Sequence, residues 1–228
     1  GALWSLTLLG GFGILSVPWW MRRQSRPAAF VTTIRCNACG QCHQDCPYNA
    51  ISMVPRTDSR VHLYAEQAEV DPSKCVGCGI CVASCSSIGT DLHQFELAAE
   101  RARLEAQVKQ AVASDEVVRV LFLCAESGAA ALRFYPVTGR CPTLPGWRVA
   151  AVPCAGWVHS LSIARLLERG AAGVAIASCG AGSCHYREGD NWLRERLDGN
   201  RSVEVEPEIA RGDRVLLLDV AGLSQRSM

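Results

Sequence analysis

The distribution of apolar and charged positions sets the first 26 residues apart from the rest of the chain. Residues 1–20 contain no charged side chain, and a basic stretch follows directly at 21–26. A predominantly apolar run of this length makes about enough helix to cross a bilayer core of about 30 Å. Positive charges after the run indicate that everything downstream lies on the cytoplasmic side. We therefore expect residues 1–26 to form a transmembrane helix with a basic flank, which anchors cytoplasmic domains to the membrane.

Beyond residue 114 the pattern changes to short apolar runs separated by amphipathic stretches. Runs of this length that are rich in Val, Leu and Ile predict buried strands. The predicted strands are 117–124, 149–154, 173–179 and 215–220. Helices are predicted at 160–169 and 191–197, and strands that alternate with helices indicate parallel βαβ units. We expect an α/β domain with a parallel sheet over 114–228. A charged, alanine-rich helix over 96–113 connects it to the preceding segment.

Composition narrows the choice of chemistry. The chain has 228 residues and a formal net charge of +1, so it has no basic field suited to nucleic acid. Its 13 cysteines are an odd number and occur in tight runs. These runs favour bound metal over a disulfide framework and therefore indicate a reducing compartment.

Residues 31–95 contain two cysteine runs of identical spacing, C-x2-C-x2-C-x3-C. The runs are Cys36, Cys39, Cys42 and Cys46, then Cys75, Cys78, Cys81 and Cys85. In such runs three close thiolates bind one 4Fe-4S cluster and the fourth binds the other cluster. The spacing thus assigns one 4Fe-4S cluster to Cys36, Cys39, Cys42 and Cys85. It assigns the second to Cys75, Cys78, Cys81 and Cys46.

These runs resemble the bacterial two-cluster ferredoxins, whose exit segment is matched at residues 46–51, CPYNAI. The resemblance implies an α+β ferredoxin-like domain over 31–95. The second run departs from the family because Ser86 stands where a proline follows the last cysteine of the first run. A structural zinc site is the alternative, although zinc usually takes two separated Cys-x2-Cys pairs.

Four further cysteines are predicted to meet above the parallel sheet. Cys124, Cys154 and Cys179 each end a predicted strand, and strands of one sense end on the same edge of a sheet. Cys184 follows in a glycine-rich loop. Four thiolates suffice for a 2Fe-2S cluster. The remaining Cys141 is interpreted as a buried free thiol in a proline-flanked loop.

Residues 117–195 resemble the delta subunit of methyl-viologen-reducing hydrogenases. The resemblance is carried by 122–124 (FLC), 152–156 (VPCAG) and 179–190 (CGAGSCHYREGD). It implies a 2Fe-2S cluster that passes electrons between a partner redox subunit and an acceptor. One departure is Ser127, at a position where the family often has a second cysteine. We therefore take Cys124 as the ligand.

The sequence as a whole predicts an electron-transfer subunit of a membrane-associated redox complex rather than a catalytic one. It contains neither a G-x-G-x-x-G after a strand nor a G-x-x-x-x-G-K-[ST] motif, so nucleotide sites are unsupported. The expected partners are other redox subunits, including a quinone-reactive cytochrome b, and the membrane. Two alternatives stay open. Cys179 and Cys184 could act as a thiol/disulfide reductase fed by the ferredoxin-like domain, or zinc could make the chain a docking module.

Overall fold

The structure is a computed structural model, and it describes residues 27–57, 63–127, 132–180, 182–210 and 212–220. Two parts follow each other along the chain. The N-terminal part contains both cysteine runs and two short strand pairs, and the C-terminal part is built on a five-stranded sheet. The change in hydrophobic pattern after the second cysteine run therefore corresponds to a change from short strand pairs to a five-stranded sheet.

The membrane helix is where the predicted fold class needs correction. Within the described ranges no helix is long and apolar enough to span a bilayer. The longest of them, Leu97–Ala113, carries Glu, Arg and Lys along its length. Residues 1–26, for which the transmembrane helix was predicted, lie outside the described part of the chain. The described residues thus form a mixed α/β fold without a transmembrane helix, which corrects the predicted fold class.

The N-terminal part folds as two antiparallel strand pairs that flank two very short helices. Its elements are β1 (Ala29–Val31), a 3₁₀ turn (Thr33–Arg35), α1 (Gln41–Gln44), β2 (Ile51–Pro55), β3 (Glu66–Val70), α2 (Ile80–Ala83) and β4 (Thr90–Leu92). The first strand pairs with the last, and β2 pairs with β3. Each cysteine run enters one short helix, so the sequence repeat is also a structural repeat.

A 17-residue helix, α3 (Leu97–Ala113), connects the two parts. It begins where Asp91 accepts hydrogen bonds from the backbone N–H of Leu97, at 3.0 and 3.2 Å. Its buried residues Leu104 and Val108 lie four positions apart and so share one face of the helix. The helix therefore packs on the core along one stripe.

The C-terminal part is a sheet of order β6-β7-β5-β8-β9, and its helices pack against one face of the sheet. Its strands are β5 (Arg119–Cys124), β6 (Arg140–Cys141), β7 (Leu144–Val152), β8 (Gly173–Ser178) and β9 (Val215–Asp219). Between them lie a 3₁₀ turn (Ala155–Trp157), α4 (Ser160–Glu168), α5 (Gly189–Leu197) and α6 (Pro207–Ala210). The neighbours β7, β5, β8 and β9 are all parallel, whereas the edge strand β6 is antiparallel. The sequence did not predict β6.

The two parts share one core. Trp157, which is 1% exposed, packs edge-on against Phe95 with ring centroids 4.9 Å apart. A Cβ at Gly79 in the second cysteine run would come within 2.5 Å of the Trp157 ring. Only a glycine therefore allows the run to approach the C-terminal part this closely. The cysteines of both parts are held in one packed body.

Candidate functional site

Each cysteine run curls through backbone conformations in the left-handed region. Ala38 and Gly77 occupy equivalent positions in the two runs, with φ of 57° and 67°. Gly40 and Gly79 cap the two short helices, with φ of 75° and 78°. Glycine tolerates this region without strain at three of these four positions, and Ala38 adopts it with only a methyl side chain. In each run the first three thiols lie within electrostatic reach of one another.

The fourth thiol of each run lies with the first three of the other run. The pKa of Cys42 is raised to about 12, chiefly by burial and next by the charge of the neighbouring Cys85. Burial likewise raises the pKa of Cys78 to about 12, and Cys46 of the other run adds to the rise. Cys42 thus has Cys85 as an electrostatic neighbour and Cys78 has Cys46, as the crossed grouping predicts. Their assignment as cluster ligands stays a prediction.

Backbone N–H groups point at four of these sulfur atoms. Their hydrogen bonds run from Gly89 to Cys85 at 3.1 Å, Ala29 to Cys75 at 3.3 Å, Ala50 to Cys46 at 3.4 Å and Ala68 to Cys36 at 3.5 Å. Hydrogen bonds to a thiolate favour its charged form. Burial raises the pKa of Cys85, but bonds from Ser87 and Gly89 outweigh that effect, and the pKa lies below its ordinary value. The loops are thus preorganised for anionic sulfur, as a metal requires.

Two residues of the first run differ in their surroundings. His43 lies 2.6 Å from the carbonyl oxygen of Ile51 through Nδ1, so its ring is held by the backbone. Cys39 is the one exposed member of the eight cysteines in the two runs. The first run therefore approaches the protein surface at Cys39, while the second run is covered by the C-terminal part.

The second set of thiols lies at one edge of the sheet. Cys124 is the last residue of β5, Cys154 follows β7 by two residues, and Cys179 follows β8 directly. Because these three strands are parallel and adjacent, their carboxyl ends lie together. Cys184 returns to the same place in the loop before α5. The structure thus brings together the four cysteines expected to meet there.

The four thiols touch one another through hydrogen bonds. The Sγ atoms of Cys124 and Cys179 are 3.8 Å apart. Hydrogen bonds from Cys154 and Cys179 lower the pKa of Cys124 to about 3, and they lower the pKa of Cys184 to about 2. The same bonds raise the pKa values of Cys154 and Cys179. These hydrogen bonds therefore favour the thiolate forms of Cys124 and Cys184 over those of Cys154 and Cys179.

The donor set fits a thiolate-bound metal centre. Two thiolates on one tetrahedral metal, with bonds of about 2.3 Å, lie about 3.8 Å apart, which is the separation of Cys124 and Cys179. A Cβ at Gly189 would lie 2.2 Å from the Cys154 sulfur and 3.4 Å from that of Cys184. Residue 189 therefore has to be glycine for both sulfurs to occupy these positions. Among the described residues, no three His, Cys, Asp or Glu side chains are placed to hold a single metal ion.

Three other residues singled out from the sequence lie outside this set. Ser127 is fully buried, and its hydroxyl donates to the Cys124 carbonyl at 2.8 Å, so it supports the loop. Cys141 is buried on the antiparallel strand β6, where its thiol lies 3.4 Å from the carbonyl of Arg133. His185 is half-exposed, and its ring lies edge-on to that of Tyr186. The interpretation of Cys141 as a buried free thiol is confirmed.

Aromatic and aliphatic side chains fill the space between the second cysteine run and the sheet-edge thiols. This junction is one apolar cluster formed by Tyr48, Cys78, Ile80, Cys154, Cys184, Tyr186 and Trp192. Burial raises the pKa of Tyr48, and the negative charges of Cys78, Cys184 and Cys154 raise it further. A single tyrosine ring thus lies within electrostatic reach of both thiol sets.

Sequence reasoning missed three buried charged residues next to the thiols. Asp45 and Arg196 are 0% and 1% exposed and form an ion pair between the two parts of the chain. Asp190 is 1% exposed, and neither of its carboxylate oxygens has a hydrogen-bond partner within the described residues. Burial raises the pKa of Asp190 to about 6, and the charge of Cys184 adds to this rise. For Asp45 a sequence signal was available, because Asp45 and Ser84 each directly precede the last cysteine of their runs.

Comparison with known proteins reproduces this order along the chain. Residues 35–87 match the family model of the 4Fe-4S dicluster domain. Residues 120–221 match the family model of the delta subunit of methyl-viologen-reducing hydrogenase. The resemblance expected from the two cysteine runs and from the sheet-edge motifs is therefore confirmed, and in the predicted order.

Two curated proteins match shorter stretches. An iron-sulfur subunit of the F420-non-reducing hydrogenase of Archaeoglobus profundus is 44% identical over 46 residues, which are 20% of this chain and 34% of that protein. The NADH-quinone oxidoreductase subunit I 2 of Geobacter metallireducens is 34% identical over 65 residues, 28% of this chain and 50% of that protein. The chain thus spans half or less of the length of these relatives.

Proposed function

We propose that this chain is an iron-sulfur electron-transfer subunit of a larger redox complex. It would carry two 4Fe-4S clusters on the crossed cysteine runs and a 2Fe-2S cluster on the sheet-edge thiols. The observation that carries the proposal is the junction, where Cys78 of one set and Cys154 and Cys184 of the other belong to a single buried apolar cluster. An electron relay requires redox centres that lie close together, and packed side chains at the junction would hold them so.

The ligands of the three centres follow from the grouping of the thiols. The first 4Fe-4S cluster would be held by Cys36, Cys39, Cys42 and Cys85, and the second by Cys46, Cys75, Cys78 and Cys81. The 2Fe-2S cluster would be held by Cys124, Cys154, Cys179 and Cys184. When bound, these groups supply one-electron redox chemistry at potentials that depend on hydrogen bonds to sulfur, net charge and exposure.

The protein residues contribute burial, orientation and electrostatic support. Backbone N–H groups stabilise the thiolates of the two runs, and Gly189 leaves room for Cys154 and Cys184. Ile80 is fully buried and Tyr186 nearly so, and they exclude water from the junction. The exposed Cys39 marks the end at which the first run reaches the surface. We propose that a partner exchanges electrons with the chain there.

The order of the centres follows from the contacts. Cys81 of the second group lies within electrostatic reach of Cys42 of the first, and Cys78 lies in the junction with the sheet-edge thiols. The second 4Fe-4S cluster would therefore lie between the other two centres. This gives a linear relay whose two ends face different partners. The direction of electron flow is open to either sense.

The named partners stay proposals. The relatives are called subunits of a hydrogenase and of an NADH-quinone oxidoreductase, which supports other redox subunits as partners. A quinone-reactive cytochrome b, predicted from the sequence, has no support from the contacts of the described residues. A location in a reducing compartment follows from 13 unpaired cysteines and also stays a proposal.

A thiol/disulfide reductase that uses Cys179 and Cys184 is the second candidate. One observation favours it, because hydrogen bonds from Cys154 and Cys179 lower the pKa of Cys184 and so favour its thiolate form. A reactive thiolate of this kind is typical of thiol exchange. In a reductase, however, Cys124 and Cys154 would have no chemical role, although they contact the same two sulfurs.

Two measurements on anaerobically prepared protein separate the electron-transfer subunit from the reductase. They are the iron and acid-labile sulfide content per chain and EPR spectra after stepwise reduction. The proposal predicts about ten irons and a 2Fe-2S signal distinct from 4Fe-4S signals. Cys179→Ser should lower the count by about two and remove the 2Fe-2S signal. Cys141→Ser, a buried thiol outside the set, serves as the matched control and should change neither.

A count of about eight irons, with selective alkylation of Cys184 in the loaded protein, would refute the third centre and favour the reductase. Zinc without iron would refute both and leave a docking module.

A further inference from the structure

One buried arginine reaches from the C-terminal part into both cysteine runs. Arg196 lies on α5 and is 1% exposed, and its guanidinium donates to the Ser84 hydroxyl at 2.8 Å. It also donates to the carboxylate of Asp45 and to the carbonyl of Gly156, each at 3.3 Å. Its Nε has no hydrogen-bond partner among the residues that the structure describes. The side chain is thus enclosed by the protein and shared among three loops.

The three partners of Arg196 belong to three different cysteine loops. Asp45 directly precedes Cys46, Ser84 directly precedes Cys85, and Gly156 follows Cys154 by two residues. Cys46 is assigned to the second 4Fe-4S cluster, Cys85 to the first, and Cys154 to the 2Fe-2S cluster. A single guanidinium therefore contacts a loop of each of the three proposed centres.

Asp45 and Ser84 meet at the same point. They hold equivalent positions in the two runs, and the Ser84 hydroxyl donates to the Asp45 carboxylate at 2.6 Å. Arg201 forms a second ion pair with that carboxylate from its more exposed position, with 20% of its side chain accessible. The buried carboxylate thus has two cationic partners, of which only Arg196 is fully enclosed.

Stability alone gives little reason for such an arrangement. A buried ion pair often contributes no more than a well-packed apolar pair of similar volume would, because both charges lose their hydration. A charge in a low-dielectric interior does, however, act strongly on nearby redox centres. Arg196 is placed where one positive charge acts on all three.

We infer that Arg196 is a positioning residue that ties the three cysteine loops together and sets the reduction potentials of the three centres jointly. The inference rests on the proposed function. Reduction adds one negative charge to a centre, so a nearby positive charge favours the reduced form and raises the potential. The Asp45 carboxylate acts in the opposite sense.

The signs give a test that a purely structural role would not pass. Arg196→Gln removes a positive charge and should lower the potentials of all three centres. Asp45→Asn removes a negative charge and should raise those of the two 4Fe-4S clusters. We expect shifts that change the ratio of reduced to oxidised centre roughly tenfold at fixed solution potential, or about 59 mV for a one-electron step. The measurement is an EPR-monitored redox titration of each variant after its iron content is determined.

The matched control is Arg165→Gln. Arg165 lies on α4 with 47% of its side chain accessible, and it pairs only with Glu168 on its own helix among the described residues. Its removal changes the net charge equally but should leave the three potentials in place. Arg196→Lys retains the positive charge, so its reduction potentials should shift by only a small part of the shift seen in Arg196→Gln. It also provides a folded variant if Arg196→Gln does not accumulate.

Unshifted potentials in Arg196→Gln with full iron content would overturn the inference, as would shifts of the same sign in Arg196→Gln and Asp45→Asn. Equal shifts in Arg196→Lys and Arg196→Gln would also overturn it, because charge would then not be the cause. A wild-type protein that lacks the third centre would instead refute the proposed function. The two failures are therefore distinguishable.

Discussion

Replacing Gly189 by alanine should empty the sheet-edge site and leave the two cysteine runs loaded. The added methyl group would lie 2.2 Å from the Cys154 sulfur and 3.4 Å from the Cys184 sulfur. The first distance is shorter than any non-bonded contact, so either the sulfur or the start of α5 has to move. Since Gly189 is the first residue of that helix, a shift there also displaces the loop that carries Cys184.

The magnitude follows from the cost of overpacking a closed core. Forcing an extra methyl group into a well-packed site costs about 1–3 kcal/mol. Relief by displacement of Cys154 removes one of four ligands, and a four-thiolate centre does not tolerate that loss. We therefore expect a loss of about two irons per chain together with the 2Fe-2S signal, whereas about eight irons remain.

The assay is iron and sulfide per chain with EPR after reduction, and Gly199→Ala is the control. Gly199 has φ of 74°, and a Cβ added there would meet no heavy atom within 4 Å, so alanine strains the backbone without touching the thiols. The strain costs about 1–2 kcal/mol, which matches the expected destabilisation of Gly189→Ala. Equal iron contents in both variants would refute the reasoning, as would a loss of 4Fe-4S signal before 2Fe-2S signal in Gly189→Ala.

Three further predictions concern the N-terminal part and its contact with the sheet. Gly79→Ala places a methyl group 2.5 Å from the Trp157 ring and should destabilise the protein by about 1–3 kcal/mol in denaturant titrations. The effect should exceed that of Gly40→Ala, because a Cβ at Gly40 has the same backbone strain but meets no atom within 4 Å. Burial lowers the pKa of His159 to about 4 from its ordinary value near 6.5, so folding favours the neutral imidazole. The resulting contribution to the stability of the folded protein is fully present above pH 6.5 and is lost as the pH falls toward 4. The loss should be on the order of 3 kcal/mol and absent in His159→Gln, and an identical decline of the unfolding midpoint in both proteins would count against it. Arg56 donates four hydrogen bonds to backbone carbonyls around the first cysteine run. Arg56→Met should therefore lower both the thermal stability and the amount of iron retained under mild chelation. Unchanged iron retention would contradict this.

Local sequence was sufficient for the elements whose signal is short-range. The curl of each cysteine run could be predicted because eleven consecutive residues dictate it, whereas the crossed grouping of the two runs as cluster ligands stays a prediction. The strands that end at Cys124 and Cys179 could be predicted because buried parallel strands are short and continuously apolar. Their shared edge then followed from strand direction alone.

Other features depended on contacts between residues far apart in sequence. The edge strand β6 is two residues long and exists only because β7 offers it a partner, so its own sequence carries no strand pattern. The predicted transmembrane helix rested on the length of an uncharged run and on the basic residues after it, and nothing in the described residues supports it.

The sequence by itself determined the chemistry of this protein, because thiol spacing and strand periodicity are local properties. It specified which cysteines share a loop and which end on one edge of the sheet. Only the tertiary structure decided how the two sets of thiols face each other. The junction of Ile80 and Tyr186 and the ion pair of Arg196 with Asp45 join residues more than 100 positions apart. Packing and charge complementarity across such separations arise only when the folded chain encloses both groups, and no local pattern encodes them.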